Sequence, residues 1–337
     1  MVKRLTVVLL TLTLSLGLSV FGSDQSALAA AKEKLVIKFA SVDVDDSAVG
    51  IGMTAFKNYV EKASDGAMTV ELYFNGQLGG DRQSAESVLL GTLDMSVVDA
   101  GILGVYDGAF NILAMPYAFE SKDAVYRAMD GELGRVLSER AQKAGFYIWT
   151  YTDAGTRHIA NSKRPINTLA DLKGLKMRVP EVTITLDFMS AFGCNPTPIN
   201  FSETYTSLQQ GVVDGMENPI ELLYTSKFME VMTYLTLTAH SETVIPLITS
   251  IEFERKLTPE QRRIIAEGAA AQQKANRESI AKSETEYLKE MKAQGKQVIE
   301  LTPEAKEGFI NAVKPVYKKY EKAIGQDIID LAHSFNP

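Results

Sequence analysis

Between Thr258 and Gly295 the chain offers a helix that is too long for one small domain. Leu257-Thr-Pro-Glu supplies an N-cap at Thr258, proline at the first helical position and an acid in the first turn. No break strong enough to stop the helix follows before Gly295, although Gly268 lies inside it. About 36 helical residues at 1.5 Å each make a rod of roughly 54 Å. A small α/β domain is only roughly 30–35 Å across. The expectation is one helix laid along two lobes; the alternative is two helices kinked near Gly268.

The rest of the chain alternates strand and helix patterns. Lys34-Leu-Val-Ile-Lys-Phe-Ala, Met68-Thr-Val-Glu-Leu-Tyr-Phe and Asp94-Met-Ser-Val-Val read as strands, separated by helices over 47–63 and from Asp81, as cap, to Leu90. That β-α-β-α-β order predicts a parallel sheet with helices on its faces. A second series follows: a helix over 121–144, strands at Phe146–Tyr151 and Thr156–Asn161 with a turn at Asp153-Ala-Gly-Thr between them, a strand at Leu175–Val179, a helix over 183–192, and a helix capped by Ser202 that ends at Gly211. A strand at Lys296–Leu301 and a broken helical region from Thr302 complete it. The fold class expected is α/β in two lobes, with strands crossing between them and a cleft where ligands bind beyond the carboxyl ends of the strands.

The first segment reads as an export signal rather than as part of the fold. Met1-Val-Lys-Arg is basic, Leu5 to Phe21 is apolar, and Ala27-Leu28-Ala29 presents the small residues of a cleavage site. No Cys lies near it to carry a lipid. Removing residues 1–29 deletes Lys3, Arg4 and Asp24, so the net charge of −7 becomes −7 − (+1) = −8. An acidic chain of this kind is a poor ligand for nucleic acid or anionic membranes. Cys194 is the single cysteine, which excludes an internal disulfide; it reads as a small buried thiol.

Candidate binding residues are few. In Leu175-Lys-Met-Arg-Val-Pro, Lys176 and Arg178 share the face opposite Leu175, Met177 and Val179, and Pro180 ends the strand. Arg178 therefore stands at the carboxyl end, where it faces either water or an anion; its planar donors match a carboxylate in two parallel bonds. Arg157 opens a strand, Asn218 precedes a proline, and Phe201 is either core or a lid over a ligand. His158, His240 and His333 lack metal spacing. There is no Gly-x-Ser-x-Gly, no P-loop and no marked pair of carboxylates. Asn75-Gly-Gln-Leu-Gly-Gly fits a strand exit and helix entry better than a nucleotide cradle.

Three runs carry a resemblance: Gly155-Thr-Arg-His-Ile-Ala-Asn-Ser-Lys-Arg-Pro-Ile; Asp171-Leu-Lys-Gly-Leu-Lys-Met-Arg-Val-Pro; and Asn195-Pro-Thr-Pro-Ile-Asn-Phe through Val213-Asp-Gly-Met-Glu-Asn-Pro. With Gly76-Gln-Leu-Gly-Gly-Asp-Arg and Met115-Pro-Tyr, the chain resembles the solute-binding proteins of TRAP transporters, the DctP-like family. The resemblance implies a bilobed periplasmic-binding-protein fold with a hinge and a long helix spanning both lobes. We divide it as 32–154 plus 244–283 for the first lobe and 155–243 plus 284–337 for the second. It implies an organic-acid ligand, with Arg178 clamping its carboxylate, Arg157 supporting, Asn218 at the same end and Phe201 packed beside it. Val42, Asp81 and Asp99 fall at positions that vary with ligand, and Val42 departs from the polar residue common there.

Asp99, Trp149, Tyr151 and Asp153 could bond hydroxyls, which favours a sugar acid over a C4-dicarboxylate. Arg82 is the one nearby cation for a second carboxylate. The implied partners are the carboxylate ligand and the membrane subunits of a TRAP transporter, with no nucleic acid, no metal, no cofactor and no catalytic residue. A monomer in the periplasm is expected. The rival from another class is a secreted α/β enzyme acting on an organic acid.

Overall fold

The structure is a computed structural model, and it describes residues 34–337; the expected export signal at 1–29 lies outside them. In chain order the elements are β1 (Leu35–Ala40), α1 (Ala48–Ala63), β2 (Met68–Tyr73), α2 (Asp81–Leu90), β3 (Met95–Val97), α3 (Lys122–Asp130), α4 (Glu132–Lys143) and β4 (Phe146–Asn161). Next come β5 (Lys176–Val179), α5 (Thr183–Ala191), β6 (Asn195–Pro198), α6 (Phe201–Gln209), β7 (Gly215–Pro219), α7 (Ile220–Thr225), β8 (Tyr234–Ser250) and α8 (Ile251–Lys256). The chain ends with α9 (Pro259–Ala293), β9 (Gln297–Glu300), α10 (Pro303–Ala312), α11 (Lys314–Ile324) and α12 (Gln326–His333).

The described strands form one sheet in the order β2-β1-β3-β8-β4-β7-β5-β6, with β9 paired to β8. β1 lies parallel between β2 and β3, and β5 lies parallel between β6 and β7. These two parallel blocks are the two α/β lobes. Between them run β4 and β8, an antiparallel pair of 16 and 17 residues that belongs to both.

β4 corrects the sequence reading. No turn occurs at 153–156; the chain continues as one strand, and register shifts at Ile148/Thr150, Asp153/Gly155 and Arg157/Ile159 absorb the irregularity as bulges. Gly155 takes φ 105°, a value that suits glycine and that reads as a turn when the pairing partner is unknown. Three local differences are smaller. The 121–144 helix breaks at Gly131 into α3 and α4. Asn200 rather than Ser202 caps α6, its side chain accepting from the Ser202 N–H. Gly80 rather than Asp81 is the cap of α2.

α9 is unbroken over 35 residues, about 52 Å, and carries the expected N-cap at Thr258, which Gln261 completes into a capping box. Its early turns place Ile264, Ile265 and Ala269 in one core with β1, β2 and α1, and its last turn places Met291 in another core with Met216 of β7. Midway, the Asn276 amide bridges the backbone of Asp153, donating to its carbonyl at 2.7 Å and accepting its N–H at 2.8 Å. Gly268 does not break the helix. A Cβ there would stand 2.8 Å from Val60 Cγ2 and 3.1 Å from Phe56 Cδ2, so the missing side chain lets α1 lie close against the long helix.

Candidate functional site

A cavity opens between the two parallel blocks, with about 590 Å³ of empty space when the solvent at its mouth is included. Strand ends and the turns that follow them supply its walls. Val42 and Asp43 follow β1, Asp81 opens α2, and Asp99 follows β3; Arg178 and Pro180 end β5, Asn200 and Phe201 follow β6, and Asn218 ends β7. Arg157 and Thr243 come from the shared strands β4 and β8.

Lys176 and Arg178 share a face of β5, yet Lys176 is exposed and Arg178 is 2% exposed. The difference is distance along the strand: Arg178 is at the end that the cavity covers. Its Nε donates to the Ile199 carbonyl at 2.9 Å, and its guanidinium carbon stands 5.7 Å from the centre of the Phe201 ring. No described residue takes a hydrogen bond from Nη1 or Nη2, so the outer donors are left for the cavity. Burial, with Arg157 adding to it, pushes Arg178 down to about 10, against the pull of Glu217, Asp81 and Asp99.

Arg157 is the opposite case, because its guanidinium is used up. It binds Glu217 through Nε at 2.5 Å and Nη2 at 2.6 Å, donates from Nη1 to Thr243 Oγ1 at 3.0 Å, and approaches Asp99 at 3.8 Å. Burial works against its charge, but Glu217 and Asp99 more than offset this and hold its pKa above the usual value. Burial likewise opposes the Glu217 charge, yet Arg157 and the His240 contact bring that carboxyl down to about 2. Glu217 Oε2 lies 3.2 Å from His240 Nε2, and His240 Nδ1 lies 2.8 Å from the Thr238 hydroxyl. Burial, then Arg157, keeps His240 neutral against the pull of Glu217. Its Nε2–H therefore donates to Glu217 and its Nδ1 accepts from Thr238. Glu217 neutralises Arg157, which leaves Arg178 as the cation without a committed anion.

Asn218 is 2% exposed, and its amide nitrogen has no partner among the described residues. Register pairs Arg178 with Met216, so Asn218, two residues on, shares that face. Phe201 packs edge-on to Phe228 at 5.3 Å, which fixes the ring that lines the cavity.

The facing wall is acidic. Asp81 Oδ2 accepts from the Asp99 N–H at 3.2 Å, Asp99 Oδ1 accepts from the Gly101 N–H at 2.8 Å, and Asp43 Oδ2 accepts from the Ser41 hydroxyl at 2.9 Å. Enclosure, then the neighbouring Asp43 and Asp99, lifts Asp81 to about 8; enclosure lifts Asp43 to about 6. Burial raises Asp99 too, against the pull of Arg157.

The structure thus brings together Arg178, Arg157, Asn218, Phe201, Asp99, Asp81 and Val42. Trp149 is not among the lining residues. It precedes Arg157 by eight positions on one continuous strand, which at ~3.3 Å per residue is roughly 26 Å. Its Nε1 donates to Thr249 Oγ1 at 3.0 Å instead. Tyr151 and Asp153 also turn elsewhere, toward Ser138 and Tyr126. Arg82 points outward and pairs with Glu86. The sequence reading passed over Asp43, Thr243, Asn200 and the Glu217–His240 pair. Asp43 had a signal, since it sits beside Val42 just past the end of β1.

The family model for "Bacterial extracellular solute-binding protein, family 7", DctP, matches residues 39–323. The C4-dicarboxylate-binding periplasmic protein DctP of Rhodobacter capsulatus is 34% identical over 321 residues, 94% of this chain and 93% of that one. The sugar acid binding protein DctPAm of Advenella mimigardefordensis, solved with galactonate, superposes with TM-score 0.87 at 29% identity, covering 90% of this chain and 99% of that one. A TRAP periplasmic solute-binding protein from Polaromonas sp. JS666 bound to D-erythronate superposes at 0.85 with 34% identity, covering 89% and 98%.

Proposed function

Because the chain belongs to family 7 of the bacterial extracellular solute-binding proteins, the DctP family of TRAP transporters, we propose that it captures a polyhydroxylated monocarboxylate, a sugar acid, by closing its cleft. One observation carries the choice of ligand. The uncommitted donors of Arg178 share the cavity with three aspartates, Asp43, Asp81 and Asp99, and the cation that approaches them, Arg157 at 3.8 Å from Asp99, is already paired with Glu217. A carboxylate docks on Arg178 with the Asn218 amide at its side and the Phe201 ring beside it. Hydroxyls on the remainder of the ligand donate to the aspartates. A second carboxylate placed there instead meets like charge, and at ~4 Å that repulsion is about 4 kcal/mol in a partly screened site.

Asp81 gives the dicarboxylate reading its one specific support. A carboxyl lifted to about 8 is protonated at neutral pH and can donate a hydrogen bond to a second carboxylate. The two readings part with pH, because that donor is lost once Asp81 ionises.

We place the lobe boundaries at 32–154 plus 244–283 and 155–243 plus 284–337. The rest of the reading is export to the periplasm by a cleaved leader, a monomer, delivery of the acid unaltered, and docking of the closed form on TRAP membrane subunits. Among the described residues no helix is long and apolar enough to cross a membrane.

The test is a thermal-shift and calorimetric screen of aldonates, uronates and C4-dicarboxylates at pH 6 and pH 9. Ligand at 100 times its Kd stabilises by about 2.7 kcal/mol. Sugar acids are expected to raise the melting temperature at both pH values. A C4-dicarboxylate that binds more tightly than any sugar acid at either pH refutes the choice, and chemical conversion of the bound acid refutes the non-enzymatic reading.

A further inference from the structure

Gly80 has a use that neither a turn nor a nucleotide cradle explains, unlike Gly79, whose φ of 109° suits glycine by itself. Gly80 caps α2 with φ −76° and ψ 175°, a conformation open to any residue. Backbone freedom therefore gives no reason for glycine. The reason lies across the cleft: a Cβ on Gly80 would stand 1.9 Å from Asn200 Nδ2 and 2.8 Å from Asn200 Cγ. Asn200 cannot swing aside freely, because its Oδ1 accepts from the Ser202 N–H at 3.2 Å and the Ser202 hydroxyl at 3.1 Å, and that bond pair caps α6.

Sheet order shows how unusual this contact is. Gly80 follows β2 and Asn200 follows β6, and β2 and β6 are the two ends of the strand path. Their following turns can touch only when the two lobes fold toward one another over the cavity. Gly101 repeats the arrangement on the same seam. It has ordinary backbone angles, and a Cβ there would stand 2.7 Å from Cγ1 of Val182, a stiff β-branched residue of the other lobe that is itself buried.

We infer that Gly80 is a positioning residue that sets how far the cleft shuts. Its lack of a side chain lets the α2 cap seat against Asn200, which brings Asp81, the next residue, up to the ligand held on Arg178. Gly101 seats the second point of contact, next to Asp99. The inference rests on the capture reading above, since it concerns the same cleft.

Two measurements test it. Gly80→Ala keeps every cavity side chain and the α2 backbone angles. It is expected to weaken binding of the best sugar acid at least tenfold and to leave the liganded protein expanded in small-angle scattering, while the unliganded melting temperature stays within a degree or so of wild type. Adding Asn200→Gly is expected to restore closure relative to Asn200→Gly alone, so the two sites couple in a double-mutant cycle. The second measurement needs no ligand. In a Cys194→Ser background, Gly80→Cys with Asn200→Cys is expected to form a disulfide under mild oxidation.

Wild-type closure and affinity retained in Gly80→Ala overturn the inference. So does an unliganded melting temperature that falls as far as the liganded one, which would make the contact permanent. Failure of the 80–200 pair to crosslink overturns it without reference to any acid. A wild-type chain that responds to no acid refutes the capture reading instead.

Discussion

Arg178→Met removes the charge at the centre of the site while keeping most of the side-chain volume. With the cleft shut and no anion in it, that charge is a burden. Lowering the guanidinium from 12.5 to about 10 corresponds to roughly 3 kcal/mol, at ~1.4 kcal/mol per pH unit. The substitution relieves that burden and strands the Ile199 carbonyl, which loses its 2.9 Å donor at a cost of about 1 kcal/mol. The unliganded variant should therefore be as stable as wild type, or up to roughly 2 kcal/mol more stable. In the loaded cleft the balance reverses. Removing one partner of a buried ion pair costs about 3–5 kcal/mol, so affinity should fall by roughly two to three and a half orders of magnitude. Urea unfolding without ligand and calorimetry with the best sugar acid measure the two arms. Affinity within tenfold of wild type, or an unliganded unfolding free energy lowered by several kcal/mol, refutes the idea that Arg178 is held for the ligand rather than for the fold.

The other predictions concern charge and packing. Asp81→Asn keeps the acceptor for the Asp99 N–H and removes a group that holds its proton to about 8 when folded, against about 4 in an unfolded chain. The folded state binds the extra proton between those values, so wild-type stability from this group falls as pH rises from about 4 to about 8. Asp81→Asn should therefore stabilise the unliganded protein above pH 8 and do nothing near pH 4; an equal gain at both, read by urea midpoints, refutes the assignment. Glu217→Gln strands the Arg157 charge and should cost about 3–5 kcal/mol of unfolding free energy, whereas an unchanged midpoint means that the pair is incidental. Gly268→Ala should destabilise by about 1–3 kcal/mol despite a helix-propensity gain of nearly 1 kcal/mol, because Val60 and Phe56 occupy the space; a rise in melting temperature shows that α1 yields.

What the sequence made legible was local. Alternation and Pro180 were enough to put Arg178 at the end of β5, and Thr258-Pro-Glu with no stop before Gly295 was enough for a helix that reaches both lobes. What it hid depends on partners far along the chain. The bulge at Gly155 looks like a turn until β8 is known to lie beside it, and β8 itself, 17 residues with His240 inside, gave no clean alternation because both its faces are largely buried. Glu217 looked like one more carboxylate until folding set it against Arg157, 60 residues away, and His240, 23 away. Gly80 read as a loop glycine because the residue it makes room for arrives from the far end of the sheet.

β4 and β8 pass through both lobes as one antiparallel ladder, so neither lobe has strands enough to close its own sheet when cut from the other. Recombination by whole lobes would sever that ladder. New ligand preferences in such a molecule have to arise by grafting the short segments after β1, β2, β3 and β6 onto an unchanged spine, where a few substitutions alter what is held without touching what holds the molecule together.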